Sequence, residues 1–328
     1  MRKRTGSSRK RLLLAMAAVT LVLLLVGALV ASRLQAQASS GQSPTPQWQI
    51  DAGGKMEFAV ASVKENASPL SESHSNFALD SNLVEFPVST GGFLSATNFP
   101  LIQYVTFAFR LDASQTKTVQ SQLPKWANTK RYDIEARAPG NPTKDQFRMM
   151  MQSLLANRFE LTSHYEKRRL PVFELVLDKP GRLGPQLRLH PSDTGCSDRS
   201  AGIPGGGAIA GEFPETCGGL FAGPSKSAPG RIRAGARNVT MDVIIGVLGF
   251  SWMGGVDRPV LDKTGLAGKV DFTIEFTPDV PAGISFQADP NGPTFMEALR
   301  EQLGLKLEST TDLVDVLMID HIEEPSPN

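Results

Sequence analysis

Apolar and polar positions along the chain change their spacing in an order that occurs twice. In the first occurrence GGFLSATNF (Gly91 to Phe99) alternates as a strand does, and Leu101 to Phe109 places apolar residues at helical spacing. A strand RYDIEARA, a helix TKDQFRMMMQSLLANR and two strands, FELTSHYE and LPVFELVLD, follow. MEFAVASVK, Met56 to Lys64, adds an alternating strand before them. This order predicts a small α+β unit.

The second occurrence begins with GRIRAGARNV (Gly230 to Val239) as a strand and TMDVIIGVLG as a helix, with Thr240 as its N-cap. RPVLDKTGLAGKVDFTIEFTPD then predicts strand, turn and strand, followed by a helix PTFMEALREQLG and two strands, LKLEST and VDVLMIDHI. The matched core positions are Phe147 with Phe295, Leu155 with Leu303, Leu161 with Leu307, Val172 with Val314, and Leu175 with Leu317. The sequence therefore predicts an α+β fold of two tandem related βαββαβ modules with mixed sheets, at residues 55–179 and 230–322.

The N-terminal segment has the pattern of a targeting sequence. Six Lys and Arg residues precede an uncharged apolar run from Leu12 to Ala31, so the chain after Ser32 is expected outside the cytoplasm. The run is as long as a membrane span, whereas Ala36 to Ala38 is an A-x-A cleavage pattern. Residues 1–38 are therefore either a single-pass anchor in the inner membrane or a signal peptide cleaved near Ala38, and residues 39–54 a flexible tether.

Net charge excludes one class of partner. The chain carries +1 overall, but residues 1–33 hold seven Lys and Arg and no acidic residue. The remainder has 27 basic and 33 acidic residues, a net charge of −6. A mildly acidic body argues against nucleic-acid binding, which requires a basic surface.

The Gly- and Pro-rich stretch of residues 180–229 reads as a connector between the modules, and residues 323–328 as a tail. The connector holds both cysteines, Cys196 and Cys217. Outside the cytoplasm, an even pair of cysteines predicts one disulfide, and the alternative is two free thiols in a mobile loop.

One three-part pattern suggests chemistry. Ser114-x-x-Lys117, Ser192-Asp-Thr194 and Lys263-Thr-Gly265 occur in the chain order of penicillin-binding enzymes. Their contexts do not fit, because the segment around Ser114 is polar and Lys263 lies between turn signals. The four histidines show no metal-ligand spacing. The sequence thus predicts no catalytic, cofactor-binding or metal-binding residue, and a serine acyl-transfer or β-lactam-handling enzyme using Ser114, Lys117 and Lys263 is the alternative.

Several phrases resemble a known family. FAVASVKEN, MMMQSLLANRFELTSHYEKRRLPVFELVL and LDKTGLAGKVDFTIEFTPD are similar to an uncharacterised exported family expanded in Acidobacteria, whose domain also occurs fused to membrane zinc peptidases of the β-lactam-sensor type. The resemblance implies an extracytoplasmic sensing or interaction role, and the peptidase motif H-E-x-x-H is missing here. NVTMDVIIGVLG, RPVLDKTGLAGKVDF and FMEALREQLGLKLE look like the short N-terminal domain of secretins and TonB-dependent transducers, so each repeat also resembles this βαββαβ module, which binds proteins.

We therefore expect a non-catalytic interaction or sensor domain of the bacterial cell envelope, without a cofactor. Partner binding is expected by strand addition to an edge at Val172 and Glu174 or at Val314 and Val316, in the last strand of each module. Burial of these strands in the core is the alternative. A purely structural envelope protein is a third interpretation.

Overall fold

Seven helices and eleven strands lie in the part of the chain that the computed structural model describes, which is residues 44–69, 72–80, 90–192, 209, 212–280 and 285–325. The helices are α1 Gln47–Asp51, α2 Leu101–Phe109, α3 Ala113–Gln122, α4 Lys125–Thr129, α5 Lys144–Phe159, α6 Met241–Leu248 and α7 Phe295–Leu303. The strands are β1 Val60–Asn66, β2 His74–Ser75, β3 Phe93–Pro100, β4 Arg131–Arg137, β5 Thr162–Leu177, β6 Leu187–Leu189, β7 Leu220–Pro224, β8 Ile232–Val239, β9 Val260–Asp262, β10 Val270–Phe276 and β11 Leu305–His321.

Two four-stranded sheets and one three-stranded sheet are formed. The first sheet has the order β1-β4-β3-β2 and the second the order β6-β10-β8-β7, and both are antiparallel throughout. The third has the order β11-β5-β9, with β11 antiparallel and β9 parallel to β5. The mixed α+β class that the sequence predicts is confirmed, whereas the third sheet lies outside the βαββαβ pattern.

The centre of the fold is the long antiparallel pair of β5 and β11, here called the ribbon. It runs from the pair Leu177–Leu305 to the pair Thr162–His321. The sequence predicts two strands in each of these segments, and this was wrong. Pro171 lies within β5, and its nitrogen points away from β11, where the ladder needs no N–H donor.

The ribbon joins two hydrophobic cores. The first core contains α2, α5 and the first sheet, and it also takes in Leu317 and Ile319 from the far end of β11. The second core contains α6, α7 and the second sheet, and it also takes in Phe173 and Leu175 from the far end of β5. Each long strand therefore leaves its own half of the chain and ends in the core of the other half.

Other boundaries differ from the expectations. The tether predicted at residues 39–54 contains α1, whose Gln49 is buried and hydrogen-bonded to Tyr165. The predicted connector contributes two edge strands, β6 and β7, to the second sheet. The sequence did not predict them because each strand is too short to show alternation. The segment Leu12 to Ala31 lies outside the described residues. Among the helices that are described, none has the length and apolarity to cross a membrane.

Candidate functional site

The register of the ribbon decides which backbone groups of β11 face outward. The N–H of Asp178 donates to the carbonyl of Gly304 at one end of the ladder, so the even-numbered residues of both strands bond across the ribbon. At the other end the outward backbone of Leu317 and Ile319 bonds to Gln122 instead. No register shift lies between Leu305 and Ile319. The N–H and C=O groups of the odd residues of β11 therefore point away from β5.

Gln122 closes one part of this edge. Its Nε2 donates to the Leu317 carbonyl over 3.1 Å, and its Oε1 accepts from the Ile319 N–H over 3.0 Å. A side-chain amide thus stands where a neighbouring strand would be. On the opposite side of the ribbon β9 closes the edge of β5, since the N–H of Phe173 donates to the Pro259 carbonyl.

Each strand leaves a further stretch of edge without a neighbouring strand in the described fold, and the two stretches differ in chemistry. On β5, the outward backbone groups include those of Lys167, Arg169 and Pro171; Lys167 and Arg169 are exposed, and the Lys167 ammonium bonds to Asp315 on β11. Cations and proline on an edge oppose pairing with another chain. On β11, the residues from Leu307 to Leu313, here called the open edge, include Ser309 and Thr311 at outward positions and no Lys, Arg or Pro. The open edge therefore lacks the protection that its counterpart has.

Leu313 marks the end of the open edge, and 49 % of its surface is exposed. Its N–H donates to the Oδ1 atom of Asp312 over 2.7 Å. This bond, together with nearby Lys263, holds the pKa of the Asp312 carboxyl below its usual range. Asp312 therefore stays ionised at neutral pH and caps an outward N–H that has no strand to bond.

A cavity of about 430 Å³, here called the cleft, lies beside the ribbon. It falls in the size range of small-ligand sites. One wall is the first turns of α3 and another is the segment from Asp257 to Pro259, which precedes β9. Both strands of the ribbon complete the lining, and the ribbon residues are Leu170, Pro171 and Val314 to Leu317.

The charges of the cleft are arranged in pairs. Asp315 accepts from the Lys167 ammonium over 2.9 Å. Arg258 lies 3.4 Å from the Asp257 carboxylate, donates to the Ser309 hydroxyl over 3.1 Å, and places its guanidinium 4.7 Å from the centre of the Phe173 ring. The cleft therefore combines aliphatic surface with hydrogen-bonding groups and offers no charged side chain without a counter-ion.

The four predicted edge residues bond inside the ribbon. Val172 faces Thr310, Glu174 faces Glu308, Val314 faces Arg168 and Val316 faces Glu166, and all are positions of the inner ladder. Their backbone groups cannot accept a new strand, so this expectation was wrong for these residues. The valine side chains are buried, as the alternative of core burial expected. Alternation in a sequence shows which residues share a face, but not which backbone groups point outward.

The residues of the acyl-transfer alternative are dispersed. Ser114 lines the cleft, and its hydroxyl donates to the Asp112 carboxylate over 2.9 Å. Lys117 and Lys263 do not line the cleft, and Lys263 lies 3.6 Å from Asp312. Thr194 lies outside the described residues. The segment around Ser114 forms α3, which the sequence reading missed although Asp112 and Gln115 make a capping box at its start.

The four histidines and Cys217 do not line the cleft. His321 and Glu323 bond to each other over 3.0 Å beside Glu160, and this exposed group is the only cluster of metal-ligand type within the described ranges. Cys217 is buried, whereas Cys196 lies outside the described residues, so the disulfide stays a prediction.

Comparison with known proteins identifies a family for this chain. A family model described as Protein of unknown function (DUF3738) matches residues 102–322, a range that includes the ribbon, the open edge and the cleft. A search of curated proteins and a search of solved structures gave no significant match.

Proposed function

The chain belongs to the family of proteins of unknown function DUF3738, and we propose that it is a binding domain that takes an extended segment of another protein along the open edge of β11. The observation that carries the proposal is the contrast between the two edges of the ribbon. Arg169 and Pro171 oppose pairing at the edge of β5, whereas the edge of β11 from Leu307 to Leu313 contains no Pro, Lys or Arg of its own.

Strand addition supplies affinity through backbone hydrogen bonds, which need no particular sequence in the partner. The outward groups of Leu307, Ser309 and Thr311 provide donors and acceptors at the spacing of a β-ladder. Exposed Leu313 gives an arriving strand an apolar contact at its end. The role is therefore binding rather than catalysis, and the partner is a protein of the cell envelope.

The location outside the cytoplasm is part of the proposal and is supported by the basic and apolar pattern of residues 1–31. Under this proposal the protein is either anchored in the membrane by residues 1–38 or secreted after cleavage near Ala38. Alkaline phosphatase fused after Asn328 tests the location, because this reporter folds only in an oxidising compartment. An inactive fusion that accumulates in the cytoplasm contradicts it.

The two halves of the chain are further proposed to be related modules. Support comes from the matching orders of the two four-stranded sheets. Each half also carries a helix that begins with a capping box, at Thr143 and at Thr294, and ends in a left-handed residue, Glu160 and Gly304. Strands β5 and β11 follow directly after these two helices.

The test of strand addition uses a displayed library of random 12-residue peptides selected against the purified full chain. Thr311→Pro removes one outward N–H without touching the inner ladder, and we expect the selected peptides to bind it about 10-fold more weakly or worse. Thr311→Val is the matched control, since it keeps the N–H, and it should bind as the unchanged chain does. Equal binding to the proline variant, with circular dichroism unchanged, rejects strand addition at this edge.

A further inference from the structure

The open edge of β11 runs directly into the cleft. The last residue of the open edge is Leu313, and the next four residues, Val314 to Leu317, line the cleft. Four residues of strand span about 13 Å. The two features are therefore adjacent parts of one strand.

Gln122 limits how far an added strand can extend. Because its amide already bonds to Leu317 and Ile319, a strand that pairs along Ser309 to Leu313 cannot continue past Asp315. At this point it meets the first turns of α3, where Ser114, Gln115 and Thr118 form a wall of the cleft. The end of the added segment is thus directed to the cleft.

The lining of the cleft selects the chemistry of what enters. Its apolar lining residues are Leu170, Pro171, Pro259, Val314, Val316 and Leu317. Pro171 and Leu317 share the ribbon face of Asp315, whereas the side chains of Leu170, Val314 and Val316 lie on the opposite face. The charged groups are already paired, Asp315 with Lys167 and Arg258 with Asp257. A buried ion would lose its hydration and find no unpaired counter-ion, whereas a neutral apolar group loses only contact with water.

We infer that the cleft is a specificity pocket, which receives a neutral apolar side chain at the end of the segment that adds to β11. This inference rests on the proposed function and names the residue class that the partner must carry. Leucine, phenylalanine and tryptophan side chains suit the cleft, since its volume of about 430 Å³ accommodates an aromatic ring. Lysine and glutamate side chains are excluded by charge.

Capped amino acids test the pocket without any strand. N-acetyl-leucinamide and N-acetyl-tryptophanamide are titrated into the full chain, and the backbone amide resonances of Val314 to Leu317 are followed by NMR. Saturable shifts are expected with these two probes and at least 10-fold weaker binding with N-acetyl-lysinamide or the corresponding glutamate amide. Thr118→Trp, which places a ring at the wall of the cleft, should abolish the shifts.

Gln120→Trp is the matched control, because Gln120 is exposed on the same helix and does not line the cleft. It should leave the titration unchanged. Absence of saturable shifts, or equal binding of charged and apolar probes, overturns the inference. The two proposals fail separately: loss of the pocket leaves the Thr311→Pro result intact, whereas equal peptide binding to Thr311→Pro removes strand addition even when the capped residues bind.

Discussion

The backbone N–H of Asn98 donates to the Oδ1 atom of Asp133 over 2.8 Å, at a bulge where β3 turns into α2. The same relationship recurs at the bulge where β8 leads into α6, between the N–H of Asn238 and Asp271 over 2.9 Å. Both asparagines have positive φ, 64° and 54°. A residue with left-handed backbone turns its N–H out of the ladder, and the carboxylate of an aspartate on the neighbouring strand accepts a hydrogen bond from this N–H.

We expect these two carboxylates to differ in their effect on stability. Asp271 has no exposed surface and also accepts from Arg188 and His190, so Asp271→Ala should lower the free energy of unfolding by about 3–5 kcal/mol. Asp133 is half-buried, and Asp133→Ala should cost about 1–3 kcal/mol. Urea denaturation measures both. Exposed Glu135→Ala on β4 is the control, and a loss for Asp271→Ala no larger than for this control contradicts the assignment.

Gln122 is expected to protect β11 as well as stabilise it. Gln122→Ala exposes the outward groups of Leu317 and Ile319, so the free energy of unfolding should fall by about 1–2 kcal/mol and the chain should self-associate through the longer edge. Gln122→Glu keeps the acceptor for Ile319 and loses the donor to Leu317. Urea denaturation measures the free energy of unfolding, and analytical ultracentrifugation measures self-association. A monomeric, fully stable Gln122→Ala variant shows that the edge does not depend on this side chain.

His164 provides a pH-dependent contact at the far end of the ribbon. The carboxylates of Asp320 and then Glu166 raise the pKa of His164, and His164 in turn lowers the pKa of Glu166. Because its folded pKa is higher than its unfolded pKa, this histidine stabilises the fold below about pH 6.5, and the contribution disappears as the pH rises through the folded pKa. NMR titration of the ring measures the shift. Asp320→Asn should lower the pKa of His164, and an unchanged pKa means that Asp320 is not its main cause.

Because β5 ends in the second core and β11 ends in the first, we expect the two cores to unfold together. Leu317→Ala creates a cavity in the first core and should cost about 2–5 kcal/mol. Since β11 also carries Leu305 in the second core, both cores should unfold in one transition. Calorimetry measures the transition, and fluorescence of two variants that keep only Trp126 or only Trp252 follows the two halves separately. Two resolved transitions in the unchanged chain contradict this coupling.

The sequence predicts most individual elements and not their assembly. Periodic apolar residues identify α2, α5, α6 and α7 because these helices bury one face. Helix α3 has a single buried residue, Val119, and so shows no such pattern. The ribbon was predicted as four strands because local alternation carries no information on the pairing of residues more than 120 positions apart.

The candidate site was predicted in part. Alternation in VDVLMIDHI drew attention to β11, but the choice of Val314 and Val316 placed the edge on inward-bonding residues. Ser309 and Thr311 are polar and exposed, as residues of any surface strand are. Only the register of the ribbon shows that their backbone groups point outward. The role of Gln122 needed the tertiary fold, since 195 positions separate it from Leu317.

Amide hydrogen exchange along β11 tests the open edge most directly and requires no partner. We expect slow exchange at Glu308 and Thr310, whose N–H groups bond to β5, and exchange at least 100-fold faster at Ser309 and Thr311, a ratio that corresponds to about 2.7 kcal/mol or more of protection. Protection at Ser309 and Thr311 equal to that at Thr310 would mean that the edge is already occupied, and strand addition by a partner would be contradicted.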